Sequence, residues 1–342
     1  MKAARFYEKH RLVVEDIPAR EPMENEVKIR VHLCGVCGTD VHIFEGDKGS
    51  AAVNPPVTLG HELSGDVAAV GSGVTRFRVG DRVAVDPNSY CGKCYYCANG
   101  KRHLCENMVG LGTAADGGFA EYVTVPEELV FGFADNVSYE AACMIEPISC
   151  CLHGMDLTKI EHGDTVMIIG AGNIGLIMLQ LSHYAGATTI IAVEPNAKRR
   201  SLAKHFGADI CIDPINDDTG AILQMNKIKC INKVIDCAGR TNTAEYAVEY
   251  AGRGATVMIF GLTGPDEIMQ IKPFQIFQKE LTIKGSFVNP SVFERACRIL
   301  AKGIVRVEES ITDIVDLEDI QSVFETRLYA KNGKVLIRCM PE

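Results

Sequence analysis

The chain has 342 residues, 47% hydrophobic and 23% charged, a balance that excludes a disordered or fibrous chain and leaves room for about two globular domains. A formal net charge of −9 argues against nucleic acid or an anionic membrane as the main partner. The charged opening Met1-Lys-Ala-Ala-Arg-Phe-Tyr-Glu8 lacks a signal peptide's apolar run, and no stretch reaches the roughly 20 apolar residues that cross a bilayer, so a soluble cytoplasmic protein is expected.

Residues 1 to about 145 carry short β-type runs between turn residues: Val27–Leu33, Asp66–Val70 before Gly71-Ser72-Gly73, and Arg82–Val85 after Gly80-Asp81. This spacing predicts a β-rich, barrel-like unit. After about residue 150 the pattern changes. Thr165–Ile169, Thr189–Val193, Asp209–Ile212, Lys233–Cys237 and Ala255–Phe260 read as buried strands, with helices over Asn173–Ala185 and Ala197–Phe206. Strand and helix in alternation predict a parallel sheet covered on both faces. From about residue 290 a helix near Val292–Lys302 and a strand at Gly333–Ile337 leave that alternation and are expected to return to the first unit.

Fourteen cysteines in a chain without an export signal point to metal binding and buried thiols rather than a disulfide framework. Cys91, Cys94, Cys97 and Cys105 follow C-x2-C-x2-C-x7-C, the spacing of a closed tetrahedral zinc site that stabilises a loop; the bland alternative is four unrelated thiols. A looser set, Cys37, His61, Glu62 and Glu146, has the chemistry of a zinc site with an open position. Taken singly, these residues read as a buried thiol, a capping histidine and surface acids, and spacing alone does not bring them together.

Gly170-Ala171-Gly172-Asn173-Ile174-Gly175 is a G-x-G-x-x-G between an expected strand and an expected helix. The first glycine permits the tight turn, the second lets a pyrophosphate approach, the third allows close packing, and the helix N-terminus offers free N–H groups. Glu194, 19 residues beyond Gly175, stands where an acid accepts from adenosine ribose hydroxyls and repels a 2′-phosphate, which favours NAD over NADP. Lys198, Arg199 and Arg200 nearby could tolerate a phosphate.

Together these residues resemble the zinc-containing medium-chain dehydrogenase/reductase family over essentially the whole chain. Gly60-His61-Glu62 followed by Gly65, Gly71 and Val74 is similar to the family's zinc signature, and the four-cysteine lobe and dinucleotide fingerprint follow in the family's order. The resemblance implies an α/β fold: a GroES-like β-rich catalytic domain from residues 1–148 and 288–342, and a Rossmann doubly wound parallel sheet over 149–287. It further implies one catalytic and one structural zinc per subunit, NAD as cofactor, and a homo-oligomer, dimer or tetramer. Glu146-Pro147 resembles the polyol, threonine and butanediol branch; the ethanol-oxidising branch carries cysteine there. Carried over, Cys37, His61 and Glu146 bind the catalytic zinc, and Glu62 is either a fourth ligand or an acid behind the site. Thr39 and His42 match proton-relay positions. Arg199 matches a contact to the adenosine ribose, and Gly261, Leu262, Phe287 and Val288 match segments lining the nicotinamide. Where hexitol-oxidising members carry a substrate-contacting tyrosine this chain has Ile43, and Val288-Asn289 replace an arginine–tyrosine pair, which implies a less polar pocket. The expected activity is hydride transfer between a secondary alcohol (a polyol or sugar alcohol) and NAD, with L-threonine or 2,3-butanediol as alternative substrates. A zinc-free NADPH quinone or enone reductase and a non-catalytic nucleotide-binding protein are the competing readings, and the full set of candidate ligands speaks against both.

Overall fold

The structure, a computed structural model, describes residues 1–47, 53–331 and 333–340. The chain divides into two compact units, Met1–Ser149 with Asn289–Glu342, and Cys150–Val288. Among the described residues no helix is long and apolar enough to cross a membrane.

The first unit is organised by one long strand, Glu26–Gly35, in which Val27, Ile29 and Val31 alternate onto the main core; past a register shift, Cys34 continues that face and Leu33 packs with Cys143 and Leu336 instead. On one edge it pairs antiparallel with Glu62–Val70 along most of its length. On the other edge it pairs with Tyr122–Pro126 over its first half and with Lys334–Arg338 over its last three residues. The sheet continues through Arg82–Val85 to Val130–Gly132 at one end and to Ile311–Asp316 at the other. A separate three-stranded sheet joins Arg11–Asp16, Lys2–Glu8 and Val57–Thr58. The β-rich reading of this unit is therefore right, and the C-terminal strand Lys334–Arg338 is a full member of its main sheet.

The register of this sheet builds a site at the end of the long strand. Gly35 lies opposite Glu62 on one neighbour and Leu336 on the other, so residues from three distant parts of the sequence meet there. The chain then turns at Cys37 into the short helix Gly38–Phe44.

The second unit is a six-stranded parallel sheet in the order Ile210–Ile212, Thr189–Val193, Thr165–Ile169, Lys233–Asp236, Thr256–Ile259, Thr282–Gly285. This is the doubly wound order in which the chain reverses direction beside its first strand, leaving a crevice at the carboxyl ends of the central strands. Met167, Ile169, Ile191, Val193, Val234 and Val257 are buried, as strands covered on both faces must be. The last strand, Thr282–Gly285, was not anticipated: Thr-Ile-Lys-Gly is mostly exposed or half-buried at the sheet edge and carries no apolar run.

Candidate active site

Cys37, His61 and Glu62 come together: one potential ligand atom from each lies within 4.8 Å of the others. Cys37 is the N-cap of the helix Gly38–Phe44, and its backbone N–H donates to Asp40 Oδ2 at 2.9 Å, so the acid three residues on locks the turn that presents the thiol. His61 and Glu62 are both buried, at the entry to the strand Glu62–Val70. Glu146, second residue of the helix Ile145–Thr158, is also buried and bears on His61 as a nearby negative charge, but the compact group comprises Cys37, His61 and Glu62.

The group fits a divalent cation on its own chemistry. A thiol, an imidazole and a carboxylate are a zinc donor set. The Nδ1 atom of His61 is buried without a hydrogen bond and stands 3.7 Å from Asp40 Oδ1. Burial disfavours charge on this ring, yet Asp40, Cys37 and Glu146 outweigh it and hold the imidazole pKa well above its ordinary value. The negative groups gathered around this buried ring are the setting a divalent cation would balance.

Two residues of this centre were not singled out in the sequence. Asp40 is completely buried, accepts from the N–H groups of Cys37 and Gly60, and has its pKa raised by that burial. The signal for it was the Cys-Gly-Thr-Asp spacing, in which an acid at the third helical position closes back on the cap. Lys334, which opens the last strand, is buried with its ammonium bonded to Glu62 Oε2 and, at 2.9 Å, to Val36 O. Its local sign is its place at the head of the apolar run Val335-Leu336-Ile337.

Thr39 and His42 lie three residues apart on the helix Gly38–Phe44 and so share a face. His42 is partly exposed, with Nδ1 3.4 Å from Asp47 Oδ2, while Thr39 is half-buried. Ile43 is buried in the apolar core with Phe44. Its side chain serves the interior of the unit rather than standing in for a substrate-contacting tyrosine.

The lobe thiols Cys91, Cys94, Cys97 and Cys105 form a second compact group. All fourteen cysteines are free thiols. Zinc–sulfur bonds of about 2.3 Å in a tetrahedron set sulfur–sulfur edges of about 3.8 Å. Cys105 and Cys91 are 3.5 Å apart, and Cys94 and Cys105 3.9 Å. Backbone N–H groups of Lys93 and Cys94 lower the Cys91 pKa to about 6, whereas burial and the adjacent Cys94 and Cys105 push Cys97 up to about 12. Four such thiols cannot all carry charge without a cation among them.

In the second unit each glycine of the fingerprint has a distinct reason. Gly170 has φ +89 at the end of Thr165–Ile169, and a Cβ on Gly175 would lie 1.8 Å from Gly170 O. A Cβ on Gly172, the N-cap of the helix that begins at Asn173 and Ile174, would meet nothing within 4 Å, so the approach to this helix start is open. Glu194 is buried after Thr189–Val193 and accepts from Ala171 N at 2.8 Å and Asn196 N at 2.9 Å. Asn196 caps the next helix by accepting from the amides of Lys198 and Arg199. The Arg200 guanidinium is held by the Glu194 and Pro195 carbonyls and by Asp213, which leaves it little freedom to receive a phosphate.

Gly261 donates its N–H to Asp236 O and packs where a Cβ would lie 2.2 Å from Gly239 N. Leu262 and Phe287 are exposed, and Val288 has φ +48. Asn289 proves to be an interior residue of the first unit. Its carboxamide accepts from Asn88 at 2.7 Å and donates to Ser149 at 2.8 Å and to Asp86 at 3.3 Å.

Comparison with known proteins places these features in a common frame. The alcohol dehydrogenase GroES-like domain matches residues 23–135 and the zinc-binding dehydrogenase domain matches residues 173–302. Sorbitol dehydrogenase of Bacillus subtilis (strain 168) is 34% identical over 344 residues, covering 100% of this chain and 97% of that protein. D-arabitol-phosphate dehydrogenase of Enterococcus avium is 33% identical, covering 96% and 94%. Among solved structures, a protein of Sinorhizobium meliloti 1021 assigned as a zinc-binding dehydrogenase and bound to NADP superposes with a TM-score of 0.93 at 36% identity, covering 98% of each chain.

Proposed function

The chain belongs to the zinc-containing medium-chain dehydrogenase/reductase family, an oxidoreductase family, and from that premise we propose that it interconverts a polyol and the corresponding ketose with NAD as hydride carrier. The observation that carries this reading is the acid-rich group of Cys37, His61 and Glu62, with Glu146 beside it, because such a centre suits activation of an alcohol oxygen. Bound there, zinc would supply Lewis acidity toward that oxygen, and a nicotinamide cofactor would supply hydride-acceptor chemistry. The residues of the chain do the rest. Cys37 and His61 would hold the cation, with one or both of Glu62 and Glu146. Asp40 keeps the Cys37 turn and the His61 ring in place. Thr39 is no base of its own and passes the hydroxyl proton outward. His42, on the same helical face and partly exposed, hands it on to water.

Glu194 supports NAD over NADP, since its buried carboxylate would face a 2′-phosphate. The lobe of Cys91, Cys94, Cys97 and Cys105 holds a second, structural zinc. The working unit is a homo-oligomer. Among the described residues no strand pairs with the outer edge of Thr282–Gly285, and Phe274 and Phe277 on the preceding helix are 67% and 79% exposed, a surface that a second copy would cover. Light scattering that gives a monomer would reject that part.

The deciding experiment is a substrate screen with NAD and NADP over C4–C6 polyols, their phosphates, 2,3-butanediol, L-threonine and simple secondary alcohols, with metal content measured alongside. Polyol turnover with two zinc ions per chain supports the reading. Turnover confined to threonine or butanediol replaces the substrate, and a zinc-free chain that reduces quinones with NADPH replaces the mechanism. Cys37→Ala should abolish turnover while NAD binding persists.

A further inference from the structure

The chain leaves the first unit after Ser149 and returns to it at Asn289, and these two residues touch. Asn289 is completely buried. Its Nδ2 donates to Ser149 Oγ at 2.8 Å and to Asp86 Oδ1 at 3.3 Å, while its Oδ1 accepts from Asn88 Nδ2 at 2.7 Å. The partners leave this amide a single orientation. An ionised Asp86 only accepts, the Asn88 amide nitrogen only donates, and the one hydroxyl proton of Ser149 already goes to Glu146 O at 2.6 Å. Asn88 opens the short strand Asn88–Ser89, which pairs with Val109–Gly110 at the stem of the four-thiol lobe. One side chain therefore joins the lobe stem, the end of the strand Arg82–Val85 and the helix Ile145–Thr158 that carries Glu146. The first turn of that helix needs such support. Backbone N–H groups there have no carbonyl partner within the helix, and Pro147 carries no N–H at all. On either side of Asn289 the backbone is left-handed, with φ +48 at Val288 and φ +57 at Ser291. A β-branched residue keeps that conformation only where its surroundings over-determine it, and the three buried partners of Asn289 do so.

We propose that Asn289 is a positioning residue for the metal-centre acid Glu146, fixing through the Ser149 hydroxyl the helical turn that presents this carboxylate. The inference rests on the zinc reading above. Both N–H groups of the Asn289 carboxamide are taken up inside the first unit, so its influence on the reaction passes through Ser149 rather than through contact with substrate. Losing either end of the Ser149–Asn289 bond lets the turn relax, and the carboxylate at its second position shifts relative to Cys37 and His61.

The test uses the full-length enzyme, zinc-loaded and cobalt-substituted, as wild type, Ser149→Ala, Asn289→Leu and the double variant. The readouts are the visible cobalt band that Cys37→Ala removes, kcat with polyol, and calorimetric binding of ADP-ribose. Each single variant should shift the band and lower kcat about tenfold or more, the scale on which residues behind a metal ligand act, while ADP-ribose binds as in the wild type. The double variant should be no worse than the more affected single one, because both changes cut the same bond. Ser149→Thr keeps the hydroxyl and should keep the wild-type band and kcat. A purely structural role would lower the melting temperature and leave band and kcat in place, and that outcome overturns the proposal, as do effects that add in the double variant. If Asn289→Leu fails to fold, the comparison of Ser149→Ala with Ser149→Thr decides, and equal bands in those two overturn the proposal. A parent enzyme without a cobalt band sensitive to Cys37 would instead overturn the zinc reading and the proposal with it; that failure is distinguishable, because it shows in the wild type alone.

Discussion

Replacing Glu194 with glutamine tests both tasks assigned to one carboxylate. In the folded chain its two oxygens accept from Ala171 N at 2.8 Å and Asn196 N at 2.9 Å, which ties the glycine turn to the start of the next helix. A carboxylate has about four acceptor sites, so two remain for a ribose diol. The amide keeps one acceptor oxygen and sets an NH2 group against the other backbone N–H. Losing one charge-assisted bond at a buried position costs about 1–3 kcal/mol. The effect on cofactor choice is larger. At about 4 Å and an effective dielectric of about 20, a carboxylate repels each unit of phosphate charge by about 4 kcal/mol, so even half of that is roughly thirtyfold in affinity. Urea unfolding monitored over the second unit reads the first quantity, and calorimetric titration with NAD and NADP reads the second. Glu194→Gln should lower stability and shift the NADP-to-NAD affinity ratio toward NADP by thirtyfold or more, on the same estimate. An unchanged ratio would refute the electrostatic account of cofactor choice, and unchanged stability would refute the role in the turn.

Three other expectations follow from single contacts. Cys97→Ser should lose one of two zinc equivalents and lower the melting temperature of the first unit, with any loss of turnover secondary to it; retention of both metals would disprove the lobe assignment. Asp40→Asn removes the carboxylate that holds the Cys37 turn and faces His61, and metal affinity at that centre should fall about 10- to 100-fold by competition with a chelator. Asp86, buried between Asn88 and Asn289, has its pKa raised by burial to about 6 from 3.8. Its folded form binds the proton more tightly than the unfolded chain, so the group adds stability at low pH and withdraws it as pH rises from about 4 to about 6. Asp86→Asn should therefore be more stable than the parent at pH 7.5, by up to about 3 kcal/mol, with the gain vanishing below about pH 4. A gain that persists at pH 4 would contradict this origin.

What the sequence made legible was whatever is enforced by local geometry. The turn at Gly170 and the contact of Gly175 with Gly170 O admit no side chain, so the fingerprint announces the dinucleotide fold wherever a strand precedes it. Four thiols within one loop must close on each other, and they do. The buried strands from Thr165 to Ile259 are apolar because both faces are covered, which is why they could be read. Thr282–Gly285 could not, since an edge strand is free to be polar. The two acids of the metal centre show a different limit. Glu62 and Glu146 are chemically equivalent donors, and spacing cannot say how either stands to Cys37 and His61; the sheet register, which sets Glu62 beside Gly35, brings Glu62 into the compact group, and Glu146 bears on His61 from the helix Ile145–Thr158.

Lys334, which was not singled out, and Asn289, which was read as a pocket residue, share a reason for being misplaced: each is polar, buried and satisfied by partners that only the fold supplies. Lys334 reaches Val36 and Glu62 across nearly the whole chain, and Asn289 reaches Asn88 and Ser149. Hydrophobic periodicity reports which face of an element is inward, and it counts a buried lysine as an error in the pattern. In Lys334-Val335-Leu336-Ile337 that error is the signal, because four consecutive buried residues leave no solvent face for the ammonium. A charge in that place persists only where an opposite charge waits for it, so a lysine opening a buried run implies an acid beside it. The metal centre is thus framed by residues whose positions answer to charge rather than to apolar patterning.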